Sequence, residues 1–283
     1  MPQKRFFRSR AHCNPLSHND GFNYPVVARD MDWSSHYPGH EDKQITIWDI
    51  GCGFGGLTVS LAKLFPDKLV LGMEIRAKVC EYVRLRIEAL RKENPDCYSN
   101  AACLRTNCMR YLPNFFEKAQ IEKIFIAFPD PHFKAKNHRR RIVTESLLTE
   151  YAYFLKPNGR LYTITDVEEL HSWHVEKCDA HPCFVRVSEE ELKGDPCVLA
   201  ILEDTEESKK VARMNGVPTQ ASDAVKRFVI SCFCFCLLLL FSPPPRTHTS
   251  SLLVHRYAVY RRLEDSELPS PAVLSLFTES TEL

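Results

Sequence analysis

The sequence predicts one α/β domain on a mostly parallel sheet with helices on both faces. Three observations predict it. From residue 45 to residue 165, apolar strand runs alternate with helix-period segments across short breaks, the pattern of βαβ units. The first strand closes on a glycine-rich turn, Asp49-Ile50-Gly51-Cys52-Gly53-Phe54-Gly55-Gly56. A later strand stops at Phe128-Pro129-Asp130-Pro131, an acid between two prolines. In open sheets of this kind ligands sit beyond the carboxyl ends of the strands, where both features fall.

In order, the strands are expected at Ile45–Ile50, Leu69–Glu74, Ala101–Arg105, 123–128 and 159–165, each a short apolar run bounded by turn or polar residues. Helices fall between them. The segment 57–64 opens after the glycine turn, 78–93 carries Val79, Tyr82, Val83, Leu85, Ile87 and Leu90 at helical spacing, and 146–154 is a third. The segment 167–177 is a fourth, with Asp166 placed as its N-cap. Runs at 184–187 and 257–263 bring the strands to seven.

One stretch does not fit. Residues 228–241 form an uncharged run, followed by Pro243-Pro244-Pro245 and a Ser/Thr-rich segment. A spanning helix needs roughly 20 apolar residues, so the run is too short to cross a membrane, and on a soluble surface it is an aggregation liability. Phe, Leu, Ser and Pro codons are rich in pyrimidines, so 216–254 reads as a translated polypyrimidine tract, an insert from a retained intron or gene-model error. The expected organisation is a basic arm and lead-in at 1–38, a domain at 39–215 plus 255–265, the insert at 216–254, and a flexible tail at 266–283.

Composition narrows the partners. A chain of 283 residues, 44% hydrophobic, can bury one large core. Its net charge of +1 gives no global attraction for nucleic acid, so any such argument rests on local clusters. There are two: Lys4, Arg5, Arg8 and Arg10 around Phe6 and Phe7, and Lys134, Lys136, Arg139, Arg140 and Arg141 just after Asp130. Alone, the first reads as a solvated basic face; the second adjoins a candidate catalytic acid and reads as a grip on a polyanion. The twelve cysteines include no Cys-x-x-Cys pair, and no secretory leader is recognised. They are expected to be reduced thiols in an intracellular protein without a metal site.

The glycine turn alone leaves two cofactors open. Read as Gly51-x-Gly53-x-x-Gly56, with Glu74 ending the second strand at a ribose-binding distance, it matches a dinucleotide fingerprint. Two details favour S-adenosylmethionine. Asp49 resembles the acid that opens the Asp-x-Gly-x-Gly motif of methyltransferases using that donor, and Asn107-Cys108, past the third strand, stands where such enzymes contact adenine.

Together these residues resemble the eukaryotic catalytic subunit of tRNA (guanine-N7)-methyltransferases. The matching pieces are Gln3-Lys4-Arg5-Phe6-Phe7-Arg8, Arg10-Ala11-His12, Met31-Asp32-Trp33, residues 49–56, Leu71-Gly72-Met73-Glu74-Ile75-Arg76 and Leu112-Pro113-Asn114-Phe115-Phe116. Residues 128–134, Tyr162-Thr163-Ile164-Thr165-Asp166 and Thr205-Glu206-Glu207-Ser208-Lys209-Lys210 complete them. The resemblance runs from residue 3 to about residue 215 and resumes at 257–263, so the expected insert interrupts it.

The resemblance implies a single Rossmann-like class I methyltransferase domain that transfers a methyl group from S-adenosylmethionine to N7 of a guanine in the tRNA variable loop. It implies donor contacts at Asp49, Gly51, Gly53, Glu74, Arg76, Asn107, Cys108 and the Ala127 backbone, with Thr205, Glu206 and Glu207 closing over the site. Asp130 matches the family's active-site acid, and Asp166 and the two basic clusters are expected to meet tRNA. A WD-repeat β-propeller subunit and a nuclear location are implied too. The competing expectation is an RNA-binding subunit of the same fold whose catalysis the insert impairs.

Overall fold

A computed structural model describes residues 1–10, 13–17, 21–40, 42–214 and 256–269. The expected insert at 216–254 and most of the expected tail lie outside the described residues. Seven strands form one sheet: β1 (Ile45–Ile50), β2 (Leu69–Glu74), β3 (Ala101–Arg105), β4 (Ile121–Ala127), β5 (Leu155–Thr165), β6 (Phe184–Arg186) and β7 (Arg256–Arg262). Their order is β3-β2-β1-β4-β5-β7-β6. The first five run parallel, and β7 lies antiparallel to both β5 and β6.

Helices cover both faces: α1 (Gly56–Leu64), α2 (Ala77–Glu93), α3 (Glu145–Phe154), α4 (Glu168–Ala180), α5 (Glu189–Leu192), α6 (Pro196–Glu203) and α7 (Glu206–Met214). Two layers of core result because the central strands are buried on both sides, as near-continuous apolar runs require. One layer packs Trp48 with Phe116, Tyr151 and Phe154. The other packs Phe125 and Tyr162 with Leu61, Val83 and Ile201. Between β1 and β4 the strand order reverses, which opens a crevice at their carboxyl ends.

Several boundaries differ from the sequence reading, each for a local reason. β4 begins two residues earlier, at Ile121, and ends at Ala127, because Phe128 turns out of the sheet with φ +50°. β5 reaches back to Leu155, which pairs with Ile121 across a register shift; Pro157-Asn158-Gly159 reads as a strand boundary but is an irregularity inside the strand, with Asn158 at φ +63°. Asp166 does not cap α4. The cap residue is Val167, whose amide donates to Thr165 Oγ1 at 3.1 Å. α5 and α6 were not anticipated, although each has a side-chain cap. Ser188 Oγ accepts from Glu191 N, and Asp195 Oδ1 accepts from Cys197 N at 2.9 Å, with Pro196 opening α6.

The N-terminal residues lie along the domain. Phe7 meets the edge of Tyr82, Tyr24 stacks on Tyr111 at 4.3 Å, and buried Tyr37 donates to Val70 O at 3.0 Å.

Candidate active site

Two adjoining cavities occupy the crevice and share Gly51, Arg76, Ala127, Phe128 and Asp130. The first is walled by Ile50, Met73 and Ile75, with Thr106, Asn107 and Cys108 on one side and His132 and Arg140 on the other. The second runs between the glycine turn and the start of α7, past Asp49, Thr205, Glu206 and Glu207.

The glycine turn is shaped by left-handed backbone. Gly51 has φ +68°, and a Cβ there would project into open space lining both cavities. Gly55, at φ +74°, answers a different demand: a Cβ would come 2.6 Å from Val83 Cγ1, so the residue lets α2 pack against the turn.

Buried Glu74 organises the turn from below. It accepts from Gly53 N at 3.1 Å and from Arg76 N, Nε and Nη2 at 2.9, 3.0 and 2.9 Å. Asp49 is buried where it borders the second cavity, and the Thr58 hydroxyl donates to it at 2.6 Å. Burial pushes its carboxyl up to about 7, with the negative charges of Glu207 and Glu74 adding to the effect against the Thr58 bond. Burial likewise raises the Glu207 carboxyl. On Glu206 burial acts in the same direction, but bonds from Lys4 and Arg86 outweigh it and hold that carboxyl low. Thr205 Oγ1 accepts from Ser208 N at 2.9 Å, which fixes the first turn of α7. Asn107 gives its amide to Pro15 O at 2.6 Å while its Oδ1 accepts from Met109 N, so it ties the N-terminal segment over the first cavity.

Asp130 lines both cavities, in a turn with left-handed residues at Phe128 (φ +50°) and His132 (φ +45°). The two prolines are flanked by these kinks, the kind of strain that persists at functional turns. After His132, Phe133 is 64% exposed, and Lys134, Lys136 and Arg139 are exposed beyond it. Arg140 is half-buried and enters the first cavity. Arg141 departs from the phosphate-gripping expectation: only 1% exposed, it bonds to Pro131 O and Glu169. In the N-terminal cluster Arg5, Arg8 and Arg10 are exposed, whereas Lys4 pairs with Glu206 and lies over Phe54. Asp166 is half-buried and lines neither cavity.

Similarity to known proteins agrees with this geometry. The family described as "Putative methyltransferase" matches residues 43–221. A tRNA (guanine-N(7)-)-methyltransferase from Aedes aegypti is 51% identical over 216 residues, covering 76% of this chain and 88% of that protein. One from Schizosaccharomyces pombe is 52% identical over 225 residues, covering 76% and 82%. The chain belongs to the tRNA (guanine-N7)-methyltransferase family. Among solved structures, the 16S rRNA methyltransferase KamB aligns over 86% of this chain at 12% identity with a TM-score of 0.45, a likeness too loose to add weight.

The family's donor, S-adenosylmethionine, fits the residues present. Thr106 Oγ1 is buried without a hydrogen-bond partner at the wall of the first cavity, beside apolar Ile50 and Met73, which suits a flat ring with polar edges. Open space above Gly51 and the carboxylates of Asp49 and Glu207 suit a positively charged chain. Sequence reasoning gave no role to Met73, Thr106 and Ile142, which line the first cavity. Only their places at strand ends and beside motifs mark them. Among the described residues no group of three or more His, Cys, Asp and Glu is arranged to hold a metal, and no helix is long and apolar enough to cross a membrane.

Proposed function

We propose that this chain methylates N7 of a guanine in the variable loop of tRNA. The donor is S-adenosylmethionine, which when bound supplies an electrophilic methyl group on a sulfonium. The observation that carries the reading is Asp130 on the wall shared by both cavities, so that one acid faces donor and acceptor space alike.

Guanine N7 has a lone pair and no proton, so this chain need not supply a general base at the reacting atom. Its task is to hold the base in line and to favour the positive charge that develops on the purine. Asp130 can accept the guanine N1 and amino hydrogens, which orients the ring, and its negative charge complements the cationic product. An amino-directed turn of the Asp/Asn-Pro-Pro-aromatic kind differs from Pro129-Asp130-Pro131-His132, which favours a ring nitrogen. A guanine engaged in tertiary contacts must leave its stack to enter such a cavity. Exposed Lys134, Lys136 and Arg139 at the mouth suit the flanking phosphates, with Phe133 offering an aromatic face beside them. The same reading includes a WD-repeat β-propeller partner and a nuclear location, both supported by the resemblance of residues 3–215 to the family.

The test is incubation of the purified protein with tRNA and labelled donor. N7-methylguanine in the nuclease digest supports the reading, and donor binding without transfer to tRNA favours the impaired RNA-binding subunit instead.

A further inference from the structure

We propose that Arg141 is a positioning residue that braces the Asp130 turn against α4, and takes no part in gripping tRNA phosphates. Five cations follow Asp130 within eleven residues, and their chain neighbours do not distinguish them; their surroundings do. Arg141 is 1% exposed. Its Nε donates to Pro131 O at 2.9 Å, one residue past Asp130, and its Nη2 donates to Glu169 Oε1 at 2.6 Å on α4. The guanidinium lies 4.7 Å from the ring centre of Trp173, also on α4.

The rest of the loop is pinned in the same way. Trp173 Nε1 donates to Val143 O at 2.7 Å, and Tyr151 on α3 donates to Ile142 O at 2.9 Å. Residues 131–143 are thus fixed at both ends through backbone carbonyls, and the exposed cations occupy the stretch between. A planar fork that bonds a carbonyl, a carboxylate and an aromatic face at once is a geometry lysine cannot reproduce. Because Asp130 sits between prolines and kinked neighbours, releasing the Pro131 carbonyl shifts the acid as a unit, and a displacement of about 1 Å at a reacting centre can lower the rate about 100-fold.

This inference rests on the proposed N7 methylation. The experiment uses the full chain with tRNA and S-adenosylmethionine and compares wild type with Arg141→Lys, Arg141→Gln and Glu169→Ala. Glu169 is 54% exposed, so its replacement leaves the core intact, and losing a carboxylate beside a polyanion site strengthens tRNA binding by charge alone. A fall in kcat there reports the brace and not electrostatics. The expected result is a kcat lowered roughly 10- to 100-fold in Arg141→Lys, and in the same direction but less in Glu169→Ala. In the Arg141 variants the tRNA KM and the salt dependence of tRNA binding stay at wild-type values. If the Arg141 variants do not fold, Glu169→Ala carries the test alone. Unchanged kcat in the folded variants overturns the proposal. So does, in Arg141→Gln, which removes the charge that lysine would keep, a raised tRNA KM with a log–log salt slope shallower by about one, the signature of a lost phosphate contact. Absence of N7-methylguanine from the wild-type reaction overturns the functional reading, and this inference with it.

Discussion

Asp49 and Asp130 both sit at carboxyl ends of strands, but they stand in different surroundings. Asp130 faces two cavities, so Asp130→Asn, which keeps the shape and removes the charge, is expected to lower kcat about 100-fold or more while the protein still binds donor; steady-state kinetics with calorimetry of donor binding checks this. Asp49 is buried, and its carboxyl, ordinarily at 3.8, is raised to about 7. The folded protein therefore holds a proton that the unfolded chain has released. This contribution to stability is complete below pH 3.8, is lost as pH rises towards 7, and does not change further above that. In Asp49→Asn, thermal unfolding without donor is expected to gain on wild type steadily from pH 4.5 to pH 7.5. Since a cationic ligand favours the ionised acid, wild-type affinity for S-adenosylmethionine should tighten with pH up to about 7, and that of Asp49→Asn should stay flat. Several residues lining this crevice were legible in sequence because they end strands or follow them: Gly51, Glu74, Asn107, Cys108 and Asp130 all arrive there. Arg141 was not, because a run of cations does not show which member faces inward. Thr106 was not, because it lies in no motif.

At the level of elements, β1, β2 and β3 match their expected bounds to the residue, since each is a short, mostly apolar run closed by turn or polar residues. Departures cluster where punctuation residues sit inside an element. Pro157-Asn158-Gly159 would end most strands, yet here β5 continues on both sides because Leu155 finds Ile121. α6 was passed over despite Asp195-Pro196, a start signal that short helices and loops share. That cap is testable. Asp195 accepts from Cys197 N and also from Tyr162 Oη and Arg160, both at 2.8 Å, so it joins α6 to β5. Asp195→Ala is expected to destabilise the fold by about 1–2 kcal/mol in urea denaturation. As α6 leads directly into Thr205, it is also expected to weaken donor binding more than tRNA binding.

For the whole molecule, the decisive sequence feature is the interruption of the family pattern between residue 215 and residue 257. Closing a longer loop costs only about 0.6 kcal/mol per doubling, so a chain lacking 216–254 is expected to keep the same sheet and to form at least as much N7-methylguanine as the full chain. Sequencing cDNA across the codons for Asn215 and Tyr257 addresses its origin: an intron or gene-model error requires transcripts without the block, and its presence in all of them removes that explanation. The position of β7 also matters during synthesis. β6 pairs with β7 alone among the described strands, and β7 fills the place beside β5. Every residue lining the first cavity has been translated by residue 142, long before β7 at 256–262. At about 5–20 residues per second, the open edge of β5 therefore waits roughly 5–20 s on the ribosome for the strand that closes it. Nascent chains of this protein are thus exposed to strand-pairing aggregation in that interval, and a chaperone that covers sheet edges would act on the half-built domain before its release.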